Sequence, residues 1–394
     1  MQTTGTTAGS LWRLPVVRSL FALNALGILS YSLLLPALPA YAAAGGAGLT
    51  AAGAATTAFL VVTVLVQGTV PALVRRWGLG PVLAGGLVAL GGPAPLYLLT
   101  DDVGWLVAVS AVRGVGFAVL TVLGSTIAAR AVPPERRGES IGIYGLALGL
   151  PTLVAIPAGT ALTLADHFAW VAALSAASVL AVGFVPGLVR AVAPEGDEPG
   201  TAGTSRAAVR AAAAPSLLLF LVTLAGGGLV TFLPIERPDG QLAAVALLIF
   251  GVCTAVARWQ AGVLVDRMGA RVVLPATLAA ATAGMALVAL GLRTGGAAGA
   301  AVLLAGVLAF GVGYGAVQNL TLVVALARAG DGRTTTVSAV WNASFDSGTA
   351  VGAVAVGGVA AQVGLPLSYG FVAVALALVL PLAVTLPRAL HRVG

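Results

Sequence analysis

The sequence predicts an all-α membrane protein, with twelve transmembrane helices arranged as two six-helix repeats. Three observations predict this fold: an apolar composition, twelve long apolar runs, and an uneven distribution of arginine. Of the 394 residues, 59% are hydrophobic and 8% are charged, with a mean hydropathy of +1.04. A soluble domain carries roughly 25% charged residues. We therefore expect a chain this poor in charge to face lipid over most of its area.

Twelve runs are long enough for helices that cross a bilayer, which takes about 20 apolar residues each. They lie at about 17–41, 51–74, 81–100, 104–130, 139–164, 168–190, 215–235, 242–265, 271–292, 297–327, 334–361 and 366–387. The first run has about 25 residues, and the apolar region of a signal peptide has only about 7–15. We interpret this run as an uncleaved membrane helix.

The placement of arginine predicts the orientation. All but three of the 20 basic residues fall in segments that twelve spans place on one side of the membrane. Arg237 and Arg293 fall on the other side, and Arg113 lies within a span. Cytoplasmic loops carry an excess of basic residues. The sequence thus predicts a multi-pass protein of the inner (plasma) membrane with both termini in the cytoplasm.

The chain divides into a six-helix half at 1–190, a flexible cytoplasmic linker at 191–214, and a second six-helix half at 215–394. Proline, glycine and charged residues in the linker favour irregular structure. Residues 113–117 in the fourth span match residues 310–314 in the tenth, at an offset of 197. Tyr144 and Trp341 share that offset, and residues 71–78 match 262–269. These matches predict repeated halves around a central cavity, which suits alternating access.

The loop after the eighth span carries the most specific motif of the chain. Its spacing is Gly, three residues, Asp-Arg, one residue, Gly, one residue and a basic residue, as in Gly262, Asp266, Arg267, Gly269 and Arg271. This loop resembles a signature of the major facilitator superfamily, and the resemblance covers essentially the whole chain. It implies a secondary transporter in which the loop is a gate that stabilises one conformation. The alternative is a plain basic anchor at the membrane surface.

Two neighbouring features complete the interpretation of the gate. Arg258 lies four residues before Gly262 at the inner end of the same span, so we interpret it as part of the gate. The copy in the first half has Arg75 where the signature has Asp, and Pro71 where it has Gly. We therefore expect the second half alone to carry the gating role.

Residues 133–139 and 341–348 resemble an exporter-rich branch of this superfamily, which includes predicted sugar-efflux and drug-efflux proteins. The resemblance implies export of a small organic molecule, with proton antiport as the expected coupling. A glycine–proline motif associated with exporters is altered in the fifth span, because Ile156 precedes Pro157 where the motif has glycine. Uptake by symport or an uncoupled facilitator therefore stays as an alternative. A non-transporting membrane receptor is a further one.

The eleventh span carries a polar stripe. Ser338, Asn342, Asp346 and Thr349 are spaced to lie on one face of a helix. A charge at the bilayer centre costs about 2.5–3.5 kcal/mol on insertion scales, so an intramembrane carboxyl is a functional candidate. Asp346 is predicted to bind a proton, a cationic group or a sugar hydroxyl. The alternative is a structural hydrogen bond to a neighbouring helix.

Other intramembrane polar residues are weaker candidates. In the family, an arginine at the position of Arg113 is linked to proton transfer or substrate contact, and the alternative is an arginine that reaches the outer interface. Further candidates for contact with protons or substrate are listed here: Asn24, Tyr31, Tyr314, Gln318 and Trp341. Each is as compatible with helix–helix hydrogen bonding as with a site.

No enzyme is predicted, because no Cys, His or Ser–His cluster lies within the spans and no nucleotide-binding loop follows a strand. We expect no cofactor, no metal site and no nucleic-acid partner. The expected partners are a small-molecule substrate, protons and the lipid bilayer, and the expected state is a monomer. The apolar spans favour a neutral or weakly cationic amphipathic cargo.

Overall fold

Helices make up nearly all of the chain that the structure describes. The computed structural model describes residues 10–46, 54–192, 202–236, 241–330 and 333–386, and no strand occurs within these ranges. The predicted all-α membrane fold is confirmed. The α-helices, numbered in chain order, are α1 Pro15–Ala44, α2 Ala54–Gln67, α3 Val70–Trp77, α4 Leu79–Gly91, α5 Val103–Arg130, α6 Arg137–Leu164, α7 Phe168–Leu174, α8 Val185–Ala191, α9 Ala202–Glu236, α10 Gln241–Met268, α11 Ala270–Thr294, α12 Gly296–Ala329, α13 Thr334–Val363, α14 Leu365–Leu378 and α15 Leu380–Thr385.

The described residues contain ten helical segments that are long and apolar enough to cross a membrane, or eleven if α2 and α3 form one bent span. The predicted eleventh span is present as α13, a helix of 30 residues. It is not among these segments, and its first half is rich in Thr, Ser, Asn and Asp. The count of twelve spans therefore stays a prediction.

The predicted second span bends by 58° between α2 and α3. Gly68 and Thr69 occupy the break, and the Thr69 hydroxyl bonds to the carbonyl of Val66 at 2.7 Å. Pro71 follows in the first turn of α3, where its missing N–H is tolerated. The bend leaves Gln67 as the last residue of α2, buried in the bundle.

Large apolar side chains are exposed on the outside of the bundle. Leu65, Leu180 and Leu378 are exposed by 70%, 73% and 75%. Such side chains are expected where the surroundings are hydrocarbon. Multi-pass insertion in a membrane follows from this surface together with the apolar helices.

Matching glycines of the two halves pack in matching ways. Gly116 of α5 lies against the backbone of α4 at Leu90, and Gly313 of α12 lies against the backbone of α11 at Ala281. A methyl group at either glycine would overlap the neighbouring helix. Small residues let membrane helices approach this closely. The repeat predicted from sequence is therefore visible as equivalent helix packing.

Part of the predicted linker 191–214 is helical in the structure. Residues 202–214 form the first turns of α9, and residues 193–201 lie outside the described part. Six of the eight residues 207–214 are alanine, and alanine is the strongest helix former.

The two halves meet along α6 and α10, which run antiparallel. Gly138 faces Gly262, Gly142 faces Trp259, and Gly149 faces Ala255. Starting from Gly138 and Gly262, these contacts close one end of the bundle, which the arginine bias predicts to be cytoplasmic. We call it the closed end. A central cavity lies between the halves on the other side of these contacts.

Candidate functional site

The central cavity has a volume of about 290 Å³. Helices α1, α5 and α6 line it from the first half, and α10, α12 and α13 line it from the second. The polar or aromatic lining residues are Tyr31, Phe117, Thr121, Tyr144, Thr152, Phe250, Thr254, Arg258, Tyr314, Gln318, Trp341, Asn342, Phe345 and Asp346. The volume is at the lower end of the range for ligand pockets, about 300–1,000 Å³. The cavity thus suits a small molecule.

Most of the candidates named from the sequence meet in this cavity. Those that line it are Tyr31, Arg258, Tyr314, Gln318, Trp341, Asn342 and Asp346. Asn24, Arg113 and Ser338 do not line it. Asn24 donates to the carbonyl of Leu20 in its own helix at 2.9 Å. Ser338 is fully buried, and its carbonyl accepts a hydrogen bond from Asn342 at 2.8 Å.

Asp346 forms a hydrogen bond across the two halves. Its Oδ2 accepts from Nε2 of Gln67 at 2.6 Å. The same Nε2 lies 3.4 Å from the Thr121 hydroxyl. A short hydrogen bond to an ionised carboxylate is stronger than a bond between neutral groups. Gln67 was missed by the sequence analysis, although it is the one side-chain amide in α2.

Asn342 also joins the halves. Its Nδ2 donates to the carbonyl of Thr121 at 3.2 Å and to the Ser125 hydroxyl at 3.0 Å. Tyr144, which the sequence matched to Trp341 but did not assign to a site, donates to the same Thr121 carbonyl at 3.2 Å. The polar stripe of α13 therefore contacts α5, and its residues Asn342 and Asp346 bridge the two halves.

Aromatic rings form much of the remaining wall. Tyr31 stacks on Phe117 with ring centres 4.4 Å apart. In the second half, the ring centres of Phe250 and Tyr314 lie 5.0 Å apart. Aromatic faces supply large apolar contact surfaces with defined geometry. This wall can hold an apolar or aromatic body beside the polar groups.

Arg258, predicted as part of the gate, lies in the cavity wall four residues before Gly262. Its Nη1 donates to Oε1 of Gln318 at 2.9 Å. The guanidinium carbon lies 5.7 Å from the ring centre of Tyr144 and 5.9 Å from that of Trp341. Trp341 itself donates from Nε1 to the Thr321 hydroxyl at 3.1 Å.

Arg113 is buried elsewhere, within the first half. Its Nε donates to the carbonyl of Leu90 at 2.7 Å, and its Nη2 donates to the carbonyl of Ser30 at 2.9 Å. The guanidinium carbon lies 5.6 Å from the ring centre of Tyr97. A small separate cavity touches Arg113 beside Tyr31 and Tyr97. These contacts tie α5 to α1 and α4.

The signature loop contacts the start of α6. Oδ1 and Oδ2 of Asp266 accept from the backbone N–H groups of Gly138 and Glu139 at 3.2 and 2.9 Å. Free N–H groups and the helix dipole make a helix N-terminus favourable for a carboxylate. Asp266 therefore caps a helix of the opposite half.

The other signature residues have distinct environments. Gly262 approaches Gly138 so closely that any side chain would meet its carbonyl. Gly269 has φ of +79°, which favours glycine. Arg267 and Arg271 are exposed. Asn319, missed from the sequence, donates to the carbonyls of Gly138 and Arg258 at 3.2 and 3.1 Å.

The described residues contain no group of three or more His, Cys, Asp or Glu side chains that could hold a metal ion. Cys253 lies in α10 as a free, partly buried thiol. The chemistry that the cavity offers is therefore hydrogen bonding, charge and aromatic contact.

A helical bundle with a central cavity between two repeated halves, lined by apolar and polar groups, is the architecture of a multi-pass membrane transporter. Residues 20–353 match the family model described as Major Facilitator Superfamily. The chain belongs to this superfamily, and it is a transporter rather than an enzyme.

One curated relative and several solved structures are similar to this chain. Over 178 residues it is 29% identical to an uncharacterized MFS-type transporter, YtbD, of Bacillus subtilis (strain 168). That match covers 42% of this chain and 44% of the relative, so it spans less than half the length of either.

The structural likeness extends over nearly the whole chain. FucP, a superfamily transporter solved in the outward conformation, has a TM-score of 0.76 at 15% identity, covering 95% of this chain and 99% of that one. The human organic anion transporter TETRAN gives 0.74 at 18% identity, covering 93% and 98%. A bacterial homologue of the iron transporter ferroportin, in an outward-facing state, gives 0.70 at 14%, covering 96% and 100%. Identities this low establish a shared fold.

Proposed function

We propose that this transporter exports a small organic molecule by alternating access in exchange for protons, with Asp346 as the residue that binds the proton. The observation that carries the proposal is the hydrogen bond between Asp346 and Gln67. It joins a carboxyl in the cavity wall to the opposite half of the molecule. A change in the charge of Asp346 therefore acts directly on a contact between the halves.

Protonation changes the strength of this contact. The charged carboxylate accepts a charge-assisted hydrogen bond from Gln67, and such bonds are roughly twice as strong as neutral ones. A proton on Asp346 leaves a neutral bond and weakens the hold between α2 and α13. Proton binding then favours separation of the halves at the closed end. This links the proton to the rocking motion that alternating access requires.

Export is supported by the resemblance of residues 133–139 and 341–348 to an exporter-rich branch. The second candidate is uptake by symport, which the altered glycine–proline motif around Pro157 keeps open. A fucose:proton symporter of E. coli shares the fold, so proton coupling in the opposite sense suits the same architecture.

The setting of the transporter is part of the proposal. The halves at 1–190 and 215–394 rock as two units on either side of the cavity. The arginine bias supports a plasma-membrane location with both termini in the cytoplasm. The central cavity is formed by one chain, which supports a functional monomer.

The test uses purified protein in liposomes that contain a pH-sensitive dye. Drugs, sugars and metabolites are added under an imposed proton gradient to wild type, Asp346→Asn and Asp166→Asn. Asp166 is exposed outside the spans with φ of 58°, which asparagine also adopts, so it is a matched control.

We expect at least one compound to dissipate the gradient through wild type and the control, but not through Asp346→Asn. Compound flux without proton movement in all three proteins would show a facilitator and contradict the proposed coupling. Proton movement in the same direction as the compound would show symport and contradict antiport.

A further inference from the structure

Arg258 is a buried cation in the wall of the central cavity. Its residue surface is 6% exposed, and its Nε is buried without a hydrogen-bond partner. No carboxylate in the described part of the chain forms an ion pair with it. A buried arginine keeps its charge, and removing that charge from water is costly unless an anion offsets it. We therefore expect the anion that offsets the charge of Arg258 to come from a ligand in the cavity.

Arg113 shows how this chain stabilises a buried arginine with backbone acceptors. Its guanidinium donates to two backbone carbonyls, of Leu90 and Ser30, within 2.9 Å. Arg258 has one hydrogen bond, to the neutral amide of Gln318. The difference indicates that the guanidinium of Arg258 is kept available to a ligand.

The surroundings of Arg258 are shaped to hold it. Gly145 of α6 also lines the cavity, and a methyl group at this position would lie 2.5 Å from Cδ and Nε of Arg258. The rings of Tyr144 and Trp341 lie on the guanidinium within 5.9 Å. Rings at this distance attract a cation and orient it. Tyr144 and Gly145 of the opposite half, together with Trp341 of its own half, thus position the arginine at the cavity.

Asp346 is the second charged residue of the cavity wall. Its hydrogen-bond donor is the neutral amide of Gln67. Asp346 and Arg258 do not form an ion pair with each other. The cavity therefore presents one positive and one negative group that are not paired with each other.

We infer that the cargo is a small zwitterion with an apolar or aromatic body, whose carboxylate binds Arg258 and whose ammonium group binds Asp346. A cargo with a single charge would leave one charge of the wall without a partner in a low-dielectric cavity, which is costly. A zwitterion compensates both, and its body packs on Tyr31, Phe117 and Tyr314.

The inference rests on the proposed function and gives it a substrate class. The ammonium group and a proton compete for the same carboxylate of Asp346. When the proton binds, the ammonium group loses its partner and the cargo is released. When the proton leaves, the carboxylate accepts the next cargo. This competition is what exchange of cargo for protons requires.

The test measures binding by isothermal titration calorimetry on the full chain in detergent, without a gradient. The probes are phenylalanine, leucine and para-aminomethyl benzoate, which differ in body and in charge separation. Each is compared with its carboxamide, which lacks the anion, and with its N-acetyl form, which lacks the cation. The proteins are wild type, Arg258→Gln, Arg258→Lys, Asp346→Asn and Arg328→Gln. Arg328 bonds to the carbonyl of Ala211 outside the cavity and is the matched control.

We expect at least one zwitterion to bind wild type and Arg328→Gln at least about tenfold more tightly than both of its derivatives. Arg258→Gln should lose the preference over the carboxamide only, and Asp346→Asn the preference over the N-acetyl form only. Arg258→Lys should keep a weaker preference for the carboxylate, because lysine retains the charge without the planar fork. A thermal unfolding scan checks that each variant is folded.

Three results would overturn the inference: no zwitterion that binds more tightly than its derivatives, a carboxylate preference that survives Arg258→Gln, or equal binding of a zwitterion and its N-acetyl form. Binding is measured without a gradient, so it is independent of proton coupling. Zwitterion binding without proton movement in liposomes would support the substrate class and contradict the proposed antiport.

Discussion

Gln67 and Asp346 form a hydrogen bond that joins the two halves beside the cavity. Gln67 ends α2 directly before the 58° bend, so its side chain is directed to α13 from a helix terminus. Its Oε1 is buried without a hydrogen-bond partner, while Nε2 makes the bond to Asp346. The bond from Nε2 to Asp346 is therefore the main hydrogen bond that orients the Gln67 amide.

We predict that Gln67→Leu lowers proton-coupled flux of the transported compound by about tenfold or more. A hydrogen bond to a charged group is worth about 1.5–3 kcal/mol, and leucine fills a similar volume without a donor. Gln260→Leu is the matched control, since Gln260 is exposed on α10. Liposome flux within about twofold of wild type for Gln67→Leu would contradict a coupling role for this bond.

Small residues at the contact between α6 and α10 decide how closely the halves meet. Gly138, Gly142, Gly145 and Gly149 recur every three or four residues and face α10. In sequence, Gly145 and Gly149 begin the altered glycine–proline motif that continues to Pro157. In the structure the glycines permit close packing, and Gly145 makes room for Arg258.

We predict that Gly142→Ala lowers the free energy of unfolding by up to about 2 kcal/mol, because overpacking usually costs about 1–3 kcal/mol. The added methyl group would lie 2.8 Å from the carbonyl oxygen of Trp259, a backbone atom that cannot move independently. The gain in helix propensity from glycine to alanine, about 1 kcal/mol, offsets part of this cost. Thermal unfolding in detergent measures the change.

The control for this substitution is Gly85→Ala in α4. No atom lies within 4 Å of a methyl group at that position. Only the gain in helix propensity then applies, so the unfolding temperature should be equal or higher. An equal or higher unfolding temperature for Gly142→Ala would show that the two halves do not constrain each other at this contact.

The whole molecule is closed at one end by hydrogen bonds between its halves. Asp266 accepts from Gly138 and Glu139, and Asn319 donates to Gly138. Asn342 and Gln67 add contacts next to the cavity. The cavity lies beyond these contacts. The arginine bias predicts that the closed end faces the cytoplasm and the cavity faces outward.

We predict that a green fluorescent protein fused after Gly394 is fluorescent in a bacterial host, and that alkaline phosphatase fused there is inactive. Both results follow if the C-terminus is cytoplasmic, because each reporter works on only one side of the membrane. The same pair of reporters placed at the N-terminus should behave identically. Twelve spans require both termini on one side, so opposite results at the two ends would contradict the count.

Part of the candidate site could be predicted from the sequence. Asp346 and Asn342 were predictable because a polar residue within a long apolar run is costly and so stands out. Gln67 and Tyr144 were not assigned, because the number of possible partners across two halves is large. Arg258 was read as part of the gate from its spacing to Gly262. Its side chain contacts Gln318, which is 60 residues away in the sequence.

The sequence by itself determined the all-α membrane fold, its repeated halves and its superfamily. Hydropathy and helical periodicity are local properties, and a bilayer leaves few structures that satisfy the backbone. Only the tertiary structure decided which polar residues share the cavity, that Gln67 donates to Asp346, and that Arg258 has no anionic partner among the residues the structure describes. These facts depend on distances between residues that are far apart in the chain. The packing of the two halves sets those distances, and they cannot be predicted from local sequence patterns.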